Sequence, residues 1–512
     1  MKKLILFIAL MPLICEANIY TSIMSLKRQG QAPIAKDHFT RSFTPGSTYG
    51  GGRYTWIEGS NVNVKEFFGM NVKPIGVSSG YWIRSEMTIL TPELFGATHD
   101  GRKPSQDGVT QAEANSIWPF AVDVSRDTWD WIALRMCCYY MQETASATYG
   151  STAYGGLNQT YKITGLKGIE MPRIKFSTNS RRYTFSFFNF IVDVDSCPNN
   201  KAVFNDTVPS TGGDGNLNLE RMFRFENITV QSQKAYGKAF QLNESYGNSF
   251  KDCMVKGFDT AFIVRFALKT YFIGCESQHA RHMGFYVGCS AALADNHTSS
   301  GSSQSNSALF IECAAKNLGY NTWTGFELHG VSQAKLTNII IEGAGGSSTY
   351  GFKFNGYDQG FSHVKDVELD GCHSEVALNG SNHLTSLVLV NMVGNYSSVI
   401  IRRVYAQGTI DRGLVETAAT AACRIYLQHT PYNSGVFKLA NKAGTACEWV
   451  IGEGFDSYTD YDDNDKWYSV GVGGYTKPQF ANSDESINPG YHVLDQRGNQ
   501  THRAWQLFGG HW

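Results

Sequence analysis

One short phrase returns seven times along the middle of this 512-residue chain. It reads: a bulky apolar residue, two variable positions, Cys, Ile or Val, a variable position, a small or apolar residue, then a polar one. The copies are Phe225–Gln231 (FENITVQ), Phe250–Lys256 (FKDCMVK), Phe272–Gln278 (FIGCESQ), Phe310–Lys316 (FIECAAK), Leu336–Glu342 (LTNIIIE), Val364–Asp370 (VKDVELD) and Ile401–Gln407 (IRRVYAQ). A second phrase follows most copies: Ala239–Leu242 (AFQL), Ala261–Val264 (AFIV), Gly284–Val287 (GFYV), Gly325–Leu328 (GFEL) and Gly351–Phe354 (GFKF). Repetition at irregular spacings of roughly 22 to 38 residues marks a solenoid whose coils carry insertions at their turns.

Within each copy the fourth and sixth positions are mostly apolar, and the third, fifth and seventh mostly polar. That is the alternation of a strand with one buried face. Strands this short bury nothing alone, so successive copies must stack and align equivalent positions into columns. One interior column is expected from Ile228, Cys253, Cys275, Cys313, Ile339, Val367 and Val404, and a second from Phe240, Phe262, Phe285, Phe326 and Phe352. Two strands per unit with room for a third suit a parallel β-helix. The Leu-x-x-Leu-x-Leu phrase of leucine-rich repeats is absent, and a propeller blade needs four strands.

Composition narrows the partners. Lys plus Arg (44) balances Asp plus Glu (45), so there is no electrostatic footprint for nucleic acid. Gly (52), Tyr (26) and Phe (31) are abundant while charged residues make up 17%, a neutral polar and aromatic surface suited to carbohydrate. The 11 cysteines show no CxxC and no zinc spacing, and three fall in the expected interior column, which reads as free buried thiols. Asp460–Asp465 (DYDDND) has part of a calcium loop but lacks its Gly and distal Glu. No metal and no cofactor are expected. At the N-terminus Met1-Lys-Lys precedes LILFIALMPLIC and Glu16-Ala17, so residues 1–23 read as a hydrophobic leader, signal-like or anchoring.

Residues 24–90, with Gly50–Trp56 (GGGRYTW) and Gly80–Arg84 (GYWIR), read as a small N-terminal β-domain separate from the solenoid. In residues 91–165, Phe95–Gly101 (FGATHDG) leads to a helix with Asp127 or Ser125 at its N-cap, which caps the solenoid. Residues 166–425 form the solenoid, and residues 426–512 a C-terminal β-domain.

The order FGATHDG, a helix beginning at Asp127-Thr128, then Gly155–Ile163 (GGLNQTYKI) resembles the start of the pectate-lyase-like β-helix family. The upstream GGGRYTW and GYWIR resemble the short domain that precedes it in bacteriophage tailspikes. The resemblance covers roughly residues 45–165, and departs where about 20 residues separate Asp107 from Asp127 and where no Pro-x-Gly precedes Tyr161. It implies an all-β fold: a right-handed parallel β-helix with a capping helix and N- and C-terminal β-domains. It also implies a homotrimer on a phage tail, joined to tail or baseplate proteins through the N-terminal region. Such a protein binds a bacterial surface polysaccharide and hydrolyses it. A secreted bacterial polysaccharide lyase or hydrolase of the same fold, and a non-catalytic glycan-binding adhesin, are the alternatives.

Glycosidases need two carboxylates about 5 to 9.5 Å apart, a separation that outward residues on stacked coils reach. Asp252, Glu276 and Glu312 fall on three consecutive coils of the first phrase, and Glu342 with Asp366, Glu368 and Asp370 form a second cluster. The simpler reading of both is a solvated ladder bridged by lysines. The second phrase gives outward columns Gln241, Ile263, Tyr286, Glu327, Lys353 and Asn243, Arg265, Gly288, His329, Asn355. There Glu327 is the acid, and Tyr286, His329 and Lys353 line the groove beside Tyr320 and Trp323, whose rings would grip sugars. The candidate catalytic residues are therefore Glu276, Glu312, Glu327 and Asp252. The substrate-binding candidates are Tyr286, His329, Lys353, Tyr320 and Trp323.

Overall fold

The computed structural model describes residues 19–145, 151–172, 183–206, 221–288, 305–316, 322–343, 348–356, 364–375, 384–391, 397–407, 410–418 and 423–428, apart from isolated positions. Beyond these it describes only short strands, the last being Tyr491–Val493. Most of the expected leader, Tyr320 and Asp460–Asp465 lie outside the described residues.

A five-stranded sheet opens the chain, and it begins earlier than the expected boundary at residue 24. Ile19–Ser22 pairs in parallel with Asp37–Ser42, which pairs antiparallel with Gly50–Ser60. Its inner face is aromatic: Trp56 and Trp82 meet edge to face at 5.2 Å. This sheet is not separate from the capping helix of the solenoid. Phe43 packs on Trp129 of that helix at 5.8 Å, and Phe67 on Tyr140 at 5.1 Å.

The capping helix is Trp129–Thr144, and its N-cap is Thr128, whose hydroxyl accepts from the Trp131 N–H at 3.2 Å. Asp127 serves elsewhere, accepting from the Asp123 N–H and from the Lys167 ammonium, each at 2.7 Å. Asp130 is fully buried. Its carboxylate accepts the N–H groups of Thr98, His99 and Lys162, tying the FGATHDG loop and the first coil to the helix. Among the described residues no helix is long and apolar enough to cross a membrane.

The solenoid itself has three strands per coil, all paired in parallel. The first face stacks Ala202–Asn205, the leading halves of Lys238–Lys251 and Thr260–Ile273, then Met283–Gly288, Thr322–His329, Ser348–Asn355, Leu384–Asn391 and Ile410–Thr417. The second and third faces are the two halves of the seven-fold phrase. That phrase is not one strand, because it turns a corner at its third position. Asn189, Asn227, Asp252, Glu312, Asn338 and Arg403 there all have φ between 51° and 61°, and Gly274 and Gly371 complete the column. A left-handed residue bends the strand, so the third position points away from both faces.

The interior columns form as expected with one shift. Phe225, Phe250, Phe272, Phe310, Leu336, Leu369 and Ile401 stack in register. The sixth copy is thus Leu369–Glu375 (LDGCHSE), five residues beyond VKDVELD, and Cys372 rather than Val367 stands between Ile339 and Val404. The two Phe columns interlock. Within a column the rings are nearly parallel, as for Phe285 and Phe326 at 4.6 Å, and between columns they meet edge to face, as for Phe272 and Phe285 at 5.4 Å. Both arrangements suit the ring quadrupole. First-coil strands appear already at Ser151–Tyr154, and the stack continues past the expected end at 425 through Leu439–Asn441 and Glu448–Ile451.

Cys253, Cys275 and Cys313 stack on successive coils, each no more than 1% exposed, and burial pushes the Cys275 and Cys313 thiols well above their ordinary range. Seven cysteines are free and buried among the described residues. A thiolate is the reactive form. Those thiols should therefore resist a disulfide reagent in the native protein and react on unfolding in denaturant. Peptide mapping that locates fast native labelling at Cys253, Cys275 or Cys313 would contradict this.

Candidate functional site

The structure separates the two groups of acids. On the third face Lys316 lies 2.7 Å from Glu276 and 3.2 Å from Glu342, one cation between two carboxylates on the coils either side of it. Asp252 and Glu312 are exposed corner residues, separated by the Gly274 coil. Asp252 leans over Gly274, where an added Cβ would sit 2.5 Å from its Oδ1. The second expected cluster does not converge. Glu342 aligns with Glu375, while Glu368 and Asp370 pair with Arg402, and Arg403 adds a bond to Asp370. Glu342 and Glu368 are partly exposed and paired with cations, the arrangement of a solvated ladder, whereas Asp370 is buried and held by Arg402 and Arg403.

The first face is different. Register places Ile263, Tyr286, Glu327 and Lys353 in one column and Arg265, Gly288, His329 and Asn355 in the next. Glu327 points outward from its strand yet is only 7% exposed. Its Oε1 accepts from the Asn355 amide at 2.7 Å. Lys353 Nζ lies 3.7 Å from Oε2, and His329 Nδ1 lies 4.0 Å from Oε1. Burial raises the Glu327 carboxyl above its ordinary range, outweighing the opposing effects of Lys353 and Asn355. Tyr286 Oη lies 3.4 Å from His329 Nδ1, and the Arg265 guanidinium stands 6.0 Å from the Tyr286 ring centre.

Gly288 makes this possible, since a Cβ there would lie 2.4 Å from Tyr286 Oη. Gly288→Ala should therefore displace Tyr286 with little change in stability, and, if this face is the glycan site expected from the sequence, weaken binding roughly tenfold, about the worth of one neutral hydrogen bond. Unchanged affinity would mean that Tyr286 does not contact the ligand.

Of the expected site residues, Glu327, Tyr286, His329 and Lys353 come together. Trp323 does not join them. It is 2% exposed, its ring packs beside Gly325 in the solenoid interior, and its indole N–H has no partner among the described residues. Buried there, it offers no face to a sugar. Asn355 and Arg265 shared the expected columns without a role, and the structure places Asn355 against the acid and Arg265 near the Tyr286 ring. On the outward column Glu327 is flanked by Tyr286 and Lys353, so its neighbours in that column are not carboxylates. Among the described residues no group of three His, Cys, Asp or Glu side chains is arranged to hold a metal.

No protein-family model matches the chain, and no curated protein matches it. Solved structures do. The chain is similar to a tailspike protein of an Acinetobacter baumannii phage, at 12% identity and a TM-score of 0.44, covering 81% of this chain and 65% of that one. It is also similar to a Pantoea stewartii glycan biofilm modifying enzyme with a tailspike-like parallel β-helix fold, at 11% and 0.39, covering 91% and 53%. A third is the tailspike of another Acinetobacter baumannii bacteriophage, described as a capsular polysaccharide depolymerase, at 13% and 0.39, covering 85% and 70%. The parallel pairing of the stacked coils is that of a parallel β-helix. The likeness concerns the fold alone, and the chain spans about half to two thirds of the length of the first two.

Proposed function

We propose that this tailspike-like chain binds a bacterial surface polysaccharide on the first face of its solenoid and hydrolyses it, with Glu327 as general acid. The buried, outward-pointing Glu327 carries the reading. A general acid must hold its proton near the working pH, and desolvation favours this at Glu327, outweighing the opposing Lys353 ammonium and Asn355 amide. Tyr286, His329, Lys353 and Asn355 then orient the sugar. In this reading Glu276, Glu312 and Asp252 stay outside the catalytic centre, at a secondary glycan contact at most. The protein would work as a homotrimer on a phage tail, its N-terminal domain facing the tail or baseplate. A secreted enzyme of the same fold would use the same face.

One observation favours a second reading. With Tyr286 and Lys353 rather than carboxylates beside Glu327 in its column, and with Tyr286 against His329, the face also suits proton abstraction beside a sugar carboxylate, that is, β-elimination. Incubation with purified capsular polysaccharides and O-antigens separates the two. Hydrolysis releases reducing ends without ultraviolet absorbance, whereas elimination gives an absorbing unsaturated uronate. Binding with neither product would leave an adhesin, and neither binding nor products would overturn the reading.

A further inference from the structure

The chain as a whole is electrically balanced, but the first face around Glu327 is not. Lys353 and His329 stand against one acid, Glu327, whose burial favours its uncharged form, and Arg265 joins the same face two coils before His329. Two polar atoms in this patch are buried and lack a hydrogen-bond partner among the described residues: Nε of Arg265 and Oδ1 of Asn355. Asn355 is 6% exposed and its amide nitrogen is already committed to Glu327. Buried polar groups are satisfied as a rule, and those without a partner beside a candidate site are the atoms a ligand would complete. An open guanidinium N–H asks for an acceptor, and a planar carboxylate matches its fork. The open amide oxygen asks for a donor, which a sugar hydroxyl supplies.

The spacing sets where each goes. Arg265 stands two coils before His329 in the same column, about 10 Å away at the stacking distance of parallel strands, roughly a disaccharide's length. Between them Gly288 has no side chain, and the Tyr286 ring fills the space as a floor. We propose that the glycan is acidic, with the carboxylate of one sugar received by Arg265 while its neighbour lies over Glu327 and Asn355. This rests on the first face being the glycan site and adds the chemical class of the substrate.

The test uses the full-length protein with a panel of purified neutral and acidic capsular polysaccharides. Each acidic one is paired with its derivative in which carboxyls are reduced to alcohols. Binding to an acidic member should weaken at least tenfold on carboxyl reduction and by a similar factor in Arg265→Gln, with Arg265→Lys retaining part of it. Thermal unfolding of both variants should match that of the parent. Binding to a neutral polysaccharide, or equal binding to a reduced partner, would overturn the inference and leave the glycan site standing. A loss on carboxyl reduction that neither Arg265→Gln nor Gly288→Ala reproduces would place the acidic glycan elsewhere and overturn the site. Binding to no member would overturn the glycan reading, and this inference with it.

Discussion

Glu327→Gln should reduce cleavage by roughly 10²- to 10⁴-fold, the usual contribution of a general acid, and leave binding nearly intact. The amide keeps the shape of the side chain and an acceptor for the Asn355 N–H, but it has no proton to give. The same change should not destabilise the protein at neutral pH. Burial raises the folded-state pKa of Glu327, so the folded protein binds a proton more tightly than the unfolded chain does. Its stabilising contribution is full below the unfolded pKa and is lost as the pH rises through the raised folded value. At pH 7 the parent bears the cost of a buried carboxylate and the glutamine variant does not. Thermal melts across pH 4 to 8 should show the variant gaining on the parent as pH rises. Activity of the parent should fall over the same rise, as the acid loses its proton. A variant that cleaves normally, or one whose melting point falls relative to the parent with rising pH, would count against this assignment.

Asp206→Ala should cost about 3 to 5 kcal/mol, the largest single loss of stability expected from a charged residue here. Asp206 and Arg221 are each 1% exposed and form a bidentate pair at 2.8 and 2.9 Å. The carboxylate also accepts the Asn243 N–H, and the guanidinium donates to the carbonyl oxygens of Pro172 and Asn243. Removing the acid leaves a buried cation among backbone oxygens that cannot neutralise it. The exposed pair of Lys251 and Glu226, at 2.8 Å, is the matched control, and Lys251→Ala should cost under about 1 kcal/mol. Denaturant unfolding of the two variants measures both. Equal losses would mean that burial does not set the worth of these pairs.

The interior of this fold was legible because stacking makes every coil repeat the same apolar choice. Phe and Cys recur where the columns of the two phrases stand, and the parallel registers follow from them. The corner was not legible. Asn227, Asp252, Glu312 and Asn338 look like polar outward strand positions, yet they are left-handed residues that turn the chain, as Asn and Asp tolerate best. VKDVELD passed for a repeat because Val364, Val367 and Leu369 mimic its apolar spacing, and only pairing reveals the shift of five. Trp323 was misread for a related reason: an aromatic beside a turn suggests exposure, but its strand begins at Thr322 and turns that ring inward. Glu327 was visible as an acid on an outward column. Its burial was not visible, because neighbours from adjacent coils create it, and burial is what separates it from Glu276, partly exposed and neutralised by Lys316.

A crystal structure of Glu327→Gln soaked with a fragment of the polysaccharide it binds tests the central claim most directly. The fragment should lie across the first face, with a glycosidic oxygen near residue 327 and hydroxyls on Asn355 and Lys353. A fragment seated instead on the third face, against Glu276, Lys316 and Glu342, would contradict it.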